Sequence, residues 1–372
     1  MSASDQFINP QSERLFSIDF FRGLTMFLLI GESTRIFKHL ISVGDSGIIH
    51  SIANQFHHHA WNGLNFWDLI QPFFMTIVGV AIPLAIVARK KKGESDRTML
   101  QHALKRSFVL LLLGWGLYCI APGHIVWRFQ NVLAQLSVTY LVAFLIVNKS
   151  FRFQILFTLI ILLFIDLAYR FFPVEGFNEP WVAHKNLGTW FNLLIEGTEK
   201  TGIWASLNFV STTAHTVWGA LVGKLLISEK SSTDKLKILC GAGVMCLLIG
   251  YGLDWMGITP VIKKIATSSF VFASGGWTIL AIAFSYWLID IKKVFVKGSI
   301  FFRIVGMNCI AIYMFFSIGG DSLLTKVVTP FTTSLLTWAG KFTVDISTSL
   351  LVWAAMWGMC YWLYKHRILI KI

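Results

Sequence analysis

The chain has 372 residues, of which 55% are hydrophobic and only 14% are charged, with 15 Trp and 32 Phe. Soluble domains average about 25% charged residues, so this composition argues against a soluble enzyme and for a polytopic membrane protein. The formal net charge of +13 does not point to nucleic acid, because the basic residues gather in loops between apolar runs and report orientation instead.

The expected fold is all-α, a polytopic membrane helix bundle of about ten transmembrane helices that forms one domain over 1–372. A spanning helix needs about 20 mostly apolar residues. In chain order the spans read as 15–36, 66–88, 107–121, 131–147, 154–171, 204–227, 238–256, 268–290, 300–319 and 345–364, the third and fourth being short. The first run ends in GESTR, not at a small-residue cleavage site, so it reads as an uncleaved helix. With the N-terminus inside, the tails and the loops 89–106, 148–153, 228–237 and 291–299 hold 19 Lys and Arg. The opposite side holds nine, Arg35 at the end of the first span included. This asymmetry puts both termini in the cytoplasm and the 37–65 and 172–203 loops outside.

Neither an internal repeat nor a low-complexity tract is present, which counts weakly against a transporter built from inverted halves. Cys119, Cys240, Cys246, Cys309 and Cys360 all fall in apolar segments without CxxC spacing, so they read as small hydrophobes. No metal site is expected.

Polar residues inside apolar runs carry the remaining information. Ser17, Asp19 and Arg22 sit where the first span leaves the cytoplasm, preceded by Arg14. Asp19 and Arg22 share a helical face, either as a local ion pair or as a charge presented to an anionic ligand. Glu32 and Ser33 close that helix on the outer side. His57, His58 and His59 form a run that leads through Trp61, Asn62 and Gly63 to Asp68 and Gln71 at the start of the second span. An ionisable residue where hydrocarbon begins needs a partner or a water-filled cavity, and histidines are suited to moving protons near neutral pH. The run has no HxxxH or HExxH spacing, so zinc is not indicated. His215 and Asn308 read first as helix-packing residues, and Lys224 as a snorkelling one.

Four segments together resemble the heparan-α-glucosaminide N-acetyltransferase family. RLFSIDFFRGLTMFLLI is similar to its opening helix. HHAWNGLNFWDLIQPFFMTIVGVAIPLA matches the family's H-x-x-W-x-G-x-x-x-x-D-L-I/V-x-P-x-F loop and second helix, and SSFVFASGGWTILAIAFSYWLID and GMNCIAIYM look like late helices. The resemblance implies a compact bacterial-type member in the inner (plasma) membrane, without the extra luminal domain of lysosomal members. It would move acetyl from cytoplasmic acetyl-CoA, as co-substrate, to the amino group of a glucosamine-type sugar or glycan on the periplasmic side. The family's forms also imply a homodimer.

Counting back from Trp61, the family's essential histidine falls on His58, with His57 and His59 as register alternatives, and its helix aspartate falls on Asp68. Its arginines near the first helix fall on Arg14 and Arg22. With Ser17, Asp19, Gln71 and Asn308, these are the residues expected to meet acetyl-CoA. Lysosomal members carry an asparagine near the outer end of the first helix, where this chain has Glu32 and Ser33. Those two, with Trp61 and Asn62, are the candidates for meeting the acceptor or the thioester oxyanion.

By type, a neutral His58 can take the proton of an attacking amine while Asp68 orients the ring and stabilises the imidazolium. Direct transfer needs only this base. A double displacement would place the acetyl group on His58, where facing water would favour its hydrolysis. The rival reading is a sugar or proton-coupled transporter that uses His58 and Asp68 as a proton relay.

Overall fold

A computed structural model describes residues 15–41, 47–197 and 203–370; Arg14 lies outside them. Among the described residues there is no β-strand, and an isolated antiparallel bridge pairs Asn62 with Ile262.

Helix α1 (Phe16–Ser33) is followed by the short helices α2 (Ile36–Ile41) and α3 (Ile48–Asn54). After the histidine loop a 3-10 turn, Phe66–Leu69, continues directly into α4 (Ile70–Lys91), so Asp68 sits one turn ahead of a long apolar helix. Next come α5 (Asp96–Ile120), α6 (Val132–Ile146), α7 (Phe151–Arg170), the short α8 (Leu187–Glu196), α9 (Asn208–Leu226), α10 (Ser232–Trp255) and α11 (Ser268–Ser285). The chain ends with α12 (Ser299–Met307), α13 (Cys309–Ser317), α14 (Gly320–Leu336) and α15 (Lys341–Lys365). Ser95, Asn131, Ser150, Asn186, Ser231 and Thr267 each accept a backbone N–H in the first turn of the helix that follows, which fixes where α5, α6, α7, α8, α10 and α11 begin.

Six helices among the described residues are long and apolar enough to cross a membrane, seven if the pair α12 and α13, bent by 69°, is one span. The sequence suggested about ten. The difference lies in α1, which carries Asp19, Arg22 and Glu32 within 18 residues, in α9, and in the 15-residue α6. Helix α9 is rich in Ser and Thr, yet Ser211, Thr212, Thr213, His215 and Thr216 are all buried. A helix surrounded by protein needs little lipid-facing apolar surface.

Three boundaries differ from expectation. The basic stretch 89–106 is not a loop: α4 runs through Lys91 and α5 starts at Asp96, because charged side chains do not stop a helix whose ends are capped. The run 300–319 is broken at Asn308, and the stretch 320–344, which lies between two expected spans, contains α14.

The centre of the bundle is the contact of α4 with α9. A Cβ added at Gly79 would lie 2.0 Å from the Thr216 carbonyl oxygen, and one at Gly219 would lie 2.2 Å from that of Thr76. The backbones touch, and small residues alone permit that distance. Phe21, Phe73, Ile77, Val80, Val222, Ile279 and Ile282 fill the adjoining core, which joins α1, α4, α9 and α11. The histidine loop is held over the end of this core where α1 finishes and α4 begins.

Candidate functional site

Asp68 is 1% exposed by its side chain, and each carboxylate oxygen has a defined task. Oδ2 accepts the backbone N–H of Asn65 at 2.9 Å and of His59 at 3.1 Å. Oδ1 lies 2.8 Å from His58 Nδ1 and 3.5 Å from Lys263 Nζ. An ionised carboxylate only accepts, so the proton between it and His58 sits on Nδ1, and Nε2 carries the lone pair. A neutral imidazole with that tautomer is a base directed away from Asp68, and the His58 side chain is 41% exposed.

The loop is shaped to deliver His58 there. Asn65 Nδ2 donates to the carbonyls of Asn54 at 3.2 Å and His57 at 3.0 Å, which ties the turn after α3 to the start of α4. Gly63 has φ +140°, and a Cβ on it would come within 2.6 Å of the His59 ring. A side chain there meets both strain and collision, which accounts physically for a glycine in the motif.

A second segment, 261–266, far along the chain, closes the site. Gly63 N–H donates to Val261 O at 2.8 Å, and Asn62 bridges Ile262. Lys263 and Lys264 follow in a 3-10 turn ended by Ala266, whose φ is +46°. Lys263 Nζ reaches 3.2 Å from His58 Nδ1, and Lys264 Nζ donates to the Ala60 carbonyl. Trp204 forms a wall: its ring meets His58 edge-on at 5.2 Å and lies 5.5 Å from Lys263 Nζ and 6.0 Å from Lys264 Nζ, within cation–π range.

Electrostatically, burial lowers the affinity of His58 for a proton below the ordinary histidine value. The Lys263 ammonium acts in the same direction and Asp68 against it. Burial also brings Lys263 down to about 8, with Asp68 holding it up, so at neutral pH it is still mostly an ammonium. The constellation is a neutral histidine, a carboxylate and a cation behind the ring.

The other candidates fall into separate places. Trp61 donates its Nε1–H to the Trp181 carbonyl at 2.7 Å and packs with Tyr169, Trp181 and Trp190, while Asn62 is exposed. Ser33 Oγ donates to Ile30 O at 2.8 Å, and Glu32 is exposed near His57. Gln71 Nε2 donates to Gln135 Oε1 at 2.7 Å, one turn deeper than Asp68, and Thr212 reaches the same oxygen at 3.4 Å. Ser17 lies at the opposite end of α1, where its hydroxyl and the N–H groups of Phe16 and Ser17 all donate to Asp290, which α11 places there by a π turn, Tyr286–Ile291. Asp19 and Arg22 are 3.9 Å apart. The buried Asn308 donates to Ile368 O at 3.0 Å and accepts from Ile370 N–H at 2.9 Å, so its amide anchors the C-terminal tail. His57 and His59 keep one ring nitrogen each buried without a hydrogen-bond partner among the described residues.

Sequence reading did not single out Lys263, Lys264, Trp204 or Asp290. The signal available for the lysines was their position: two adjacent cations fall in a loop that the charge asymmetry would place outside, and so run against it.

The chain is 23% identical over 366 residues to the heparan-alpha-glucosaminide N-acetyltransferase of Mus musculus, covering 82% of this chain and 53% of that protein. To the protein of the same name from Homo sapiens it is 22% identical over 368 residues, covering 81% of this chain and 52% of the other. It is a distant relative of these acetyltransferases. The chain thus spans about half the length of the curated relatives it matches. No family model matches the chain.

Proposed function

We propose that the chain is a membrane-embedded acetyltransferase that moves the acetyl group of cytoplasmic acetyl-CoA to the amino group of a glucosamine-type sugar on the outer side. The observation that carries this reading is the His58–Asp68 pair, with Nδ1 at 2.8 Å from a buried carboxylate and Nε2 left as a base. In the reaction the sugar nitrogen attacks the thioester carbonyl while His58 Nε2 takes its proton. The C–S bond then breaks as the C–N bond completes, and the proton passes from His58 to the departing thiolate. Asp68 stabilises the imidazolium in between.

Acetyl-CoA is multiply anionic and cannot cross hydrocarbon, so its nucleotide end stays on the inner side. Arg22 of α1 and the basic ends of α4 and α5 supply positive charge there. In this reading both termini are cytoplasmic and ten spans cross, made by α1, α4, α5, α6, α7, α9, α10, α11, the bent α12–α13 pair and α15. The site works within one domain, and the chain associates as a homodimer in a bacterial inner membrane.

The test is incubation of purified protein with labelled acetyl-CoA and a panel of amino sugars, read by mass spectrometry. Transfer to one or more sugars is expected, and none in a folded protein that binds acetyl-CoA counts against the reading. A sugar or proton-coupled transporter would ignore acetyl-CoA altogether.

A further inference from the structure

We propose that Lys263 is a positioning residue for acetyl transfer: shared with His58 across the Asp68 carboxylate, its ammonium keeps the imidazole uncharged and ready to accept a proton. This rests on the acetyltransferase reading, but its geometry is independent of that reading. Lys263 Nζ lies 3.5 Å from Asp68 Oδ1 and 3.2 Å from His58 Nδ1, and its side chain is only 7% exposed.

A histidine paired with a buried carboxylate alone is drawn toward the imidazolium, because the ion pair favours the charged form. Such a histidine is a poor base, since it already holds the proton it should collect. Here Oδ1 serves two partners. Lys263 neutralises part of the charge that Asp68 would otherwise give the ring, and as a like charge it opposes a second cation beside it. Lys263 stands on the Nδ1 side, so it leaves Nε2 clear for the amine and does not touch the reacting atoms.

The charged groups around the ring come from a few elements. Asp68 belongs to the turn before α4; Lys263 and Lys264 both belong to the segment that follows α10 and both act on the ring as like charges. Trp204, ahead of α9, contributes a neutral edge. His57 and His59 flank it on its own loop. Of the two lysines, Lys264 is turned to the Ala60 carbonyl, so Lys263 is the one whose ammonium shares the carboxylate.

The experiment follows His58 itself. Diethyl pyrocarbonate modifies histidine only when its imidazole is neutral, and tandem mass spectrometry of the peptides separates His58 from His57, His59 and modified lysines. Modification rate against pH is measured on the full-length protein in detergent, for the unaltered chain and for Lys263→Met, Lys263→Gln and Lys263→Arg. In the unaltered protein the His58 midpoint should lie below that of a histidine in an unstructured peptide. In Lys263→Met or Lys263→Gln it should move to higher pH, with a several-fold lower rate at mildly acidic pH, and Lys263→Arg should restore it. The acid limb of kcat/KM for acetyl transfer should move the same way. A midpoint unchanged in either folded neutral variant overturns the proposal. So does an unaltered protein whose His58 titrates at or above the free-peptide value, even if neither neutral variant folds. Absence of acetyl transfer in the unaltered protein would instead overturn the functional reading and leave the titration result standing.

Discussion

At the scale of single residues, the pair of His58 and Asp68 makes unequal demands. Removing a positioned base typically lowers the rate by about 10²–10⁴-fold. His58→Ala should therefore nearly abolish acetyl transfer while acetyl-CoA still binds, since the proposed arrangement holds the anionic end of the cofactor across the membrane. Equilibrium binding measured beside turnover checks both halves of that statement. Asp68→Asn keeps the shape and removes the charge, so turnover should fall less if orientation is its main contribution. The pH dependence follows from the direction of the His58 shift. Its proton affinity is lowered, so the neutral base survives to more acidic pH than for an ordinary histidine, and the rate falls only below that point.

Much of this was legible in the sequence, because His58, Trp61, Gly63 and Asp68 lie within one short stretch with fixed spacing. The cation was not. Lys263 lies 205 positions from His58, and nothing in the local pattern of VIKKIAT links them. Asp290 is a similar case: within an apolar run it reads as the end of a span, and its partner, the first turn of α1, is visible only once α11 has folded back.

At the scale of elements, the sequence identified apolar stretches well and their interruptions poorly. The break at Asn308 has no proline to announce it; what holds it is the capture of the C-terminal tail by the amide. The helical turns from Asp96 to Arg106 were masked by their charge, although the stop that ends α4 is the Gly93 turn and the start of α5 is the Ser95 cap. The contact of α4 with α9 gives a test of packing. Gly79→Val would drive a side chain into the Thr216 carbonyl, and overpacking of this kind costs about 1–3 kcal/mol. Thermal unfolding in detergent should show the loss, whereas the same change at Gly241, where a Cβ would meet nothing within 4 Å, should be nearly silent. At the end of α1 proposed to meet the cofactor, Arg22→Ala should weaken acetyl-CoA binding several-fold. Unchanged affinity in a folded variant would assign Arg22 to its ion pair with Asp19 alone.

For the whole molecule, orientation is the decisive property, because the proposed reaction joins two compartments. Single cysteines at Ser51 and Lys341 should react with an impermeant thiol reagent added from outside, and those at Lys92 and His366 only after the membrane is opened. Helix α14 makes this informative. It is a 17-residue helix that meets α15 through a 2.6 Å hydrogen bond between Thr332 and Thr348. If α14 were a span in addition to the ten, the two ends of the chain would face opposite sides and His366 would label from outside.

The bridge between Asn62 and Ile262 also has a meaning in time. A ribosome delivers His58 and Asp68 early and Lys263 only after α10 has emerged, so for much of its synthesis the chain owns a carboxylate and an imidazole without the lysine that flanks them both. The segment at 228–231, between α9 and α10, divides the chain into one portion with the pair and another with the cation. Two separately encoded portions cut there should each be inert, and their joint insertion into one membrane should recover acetylation, with α1 packing on α12 and α11 to bring the halves together and the Asn62–Ile262 pairing to close the site.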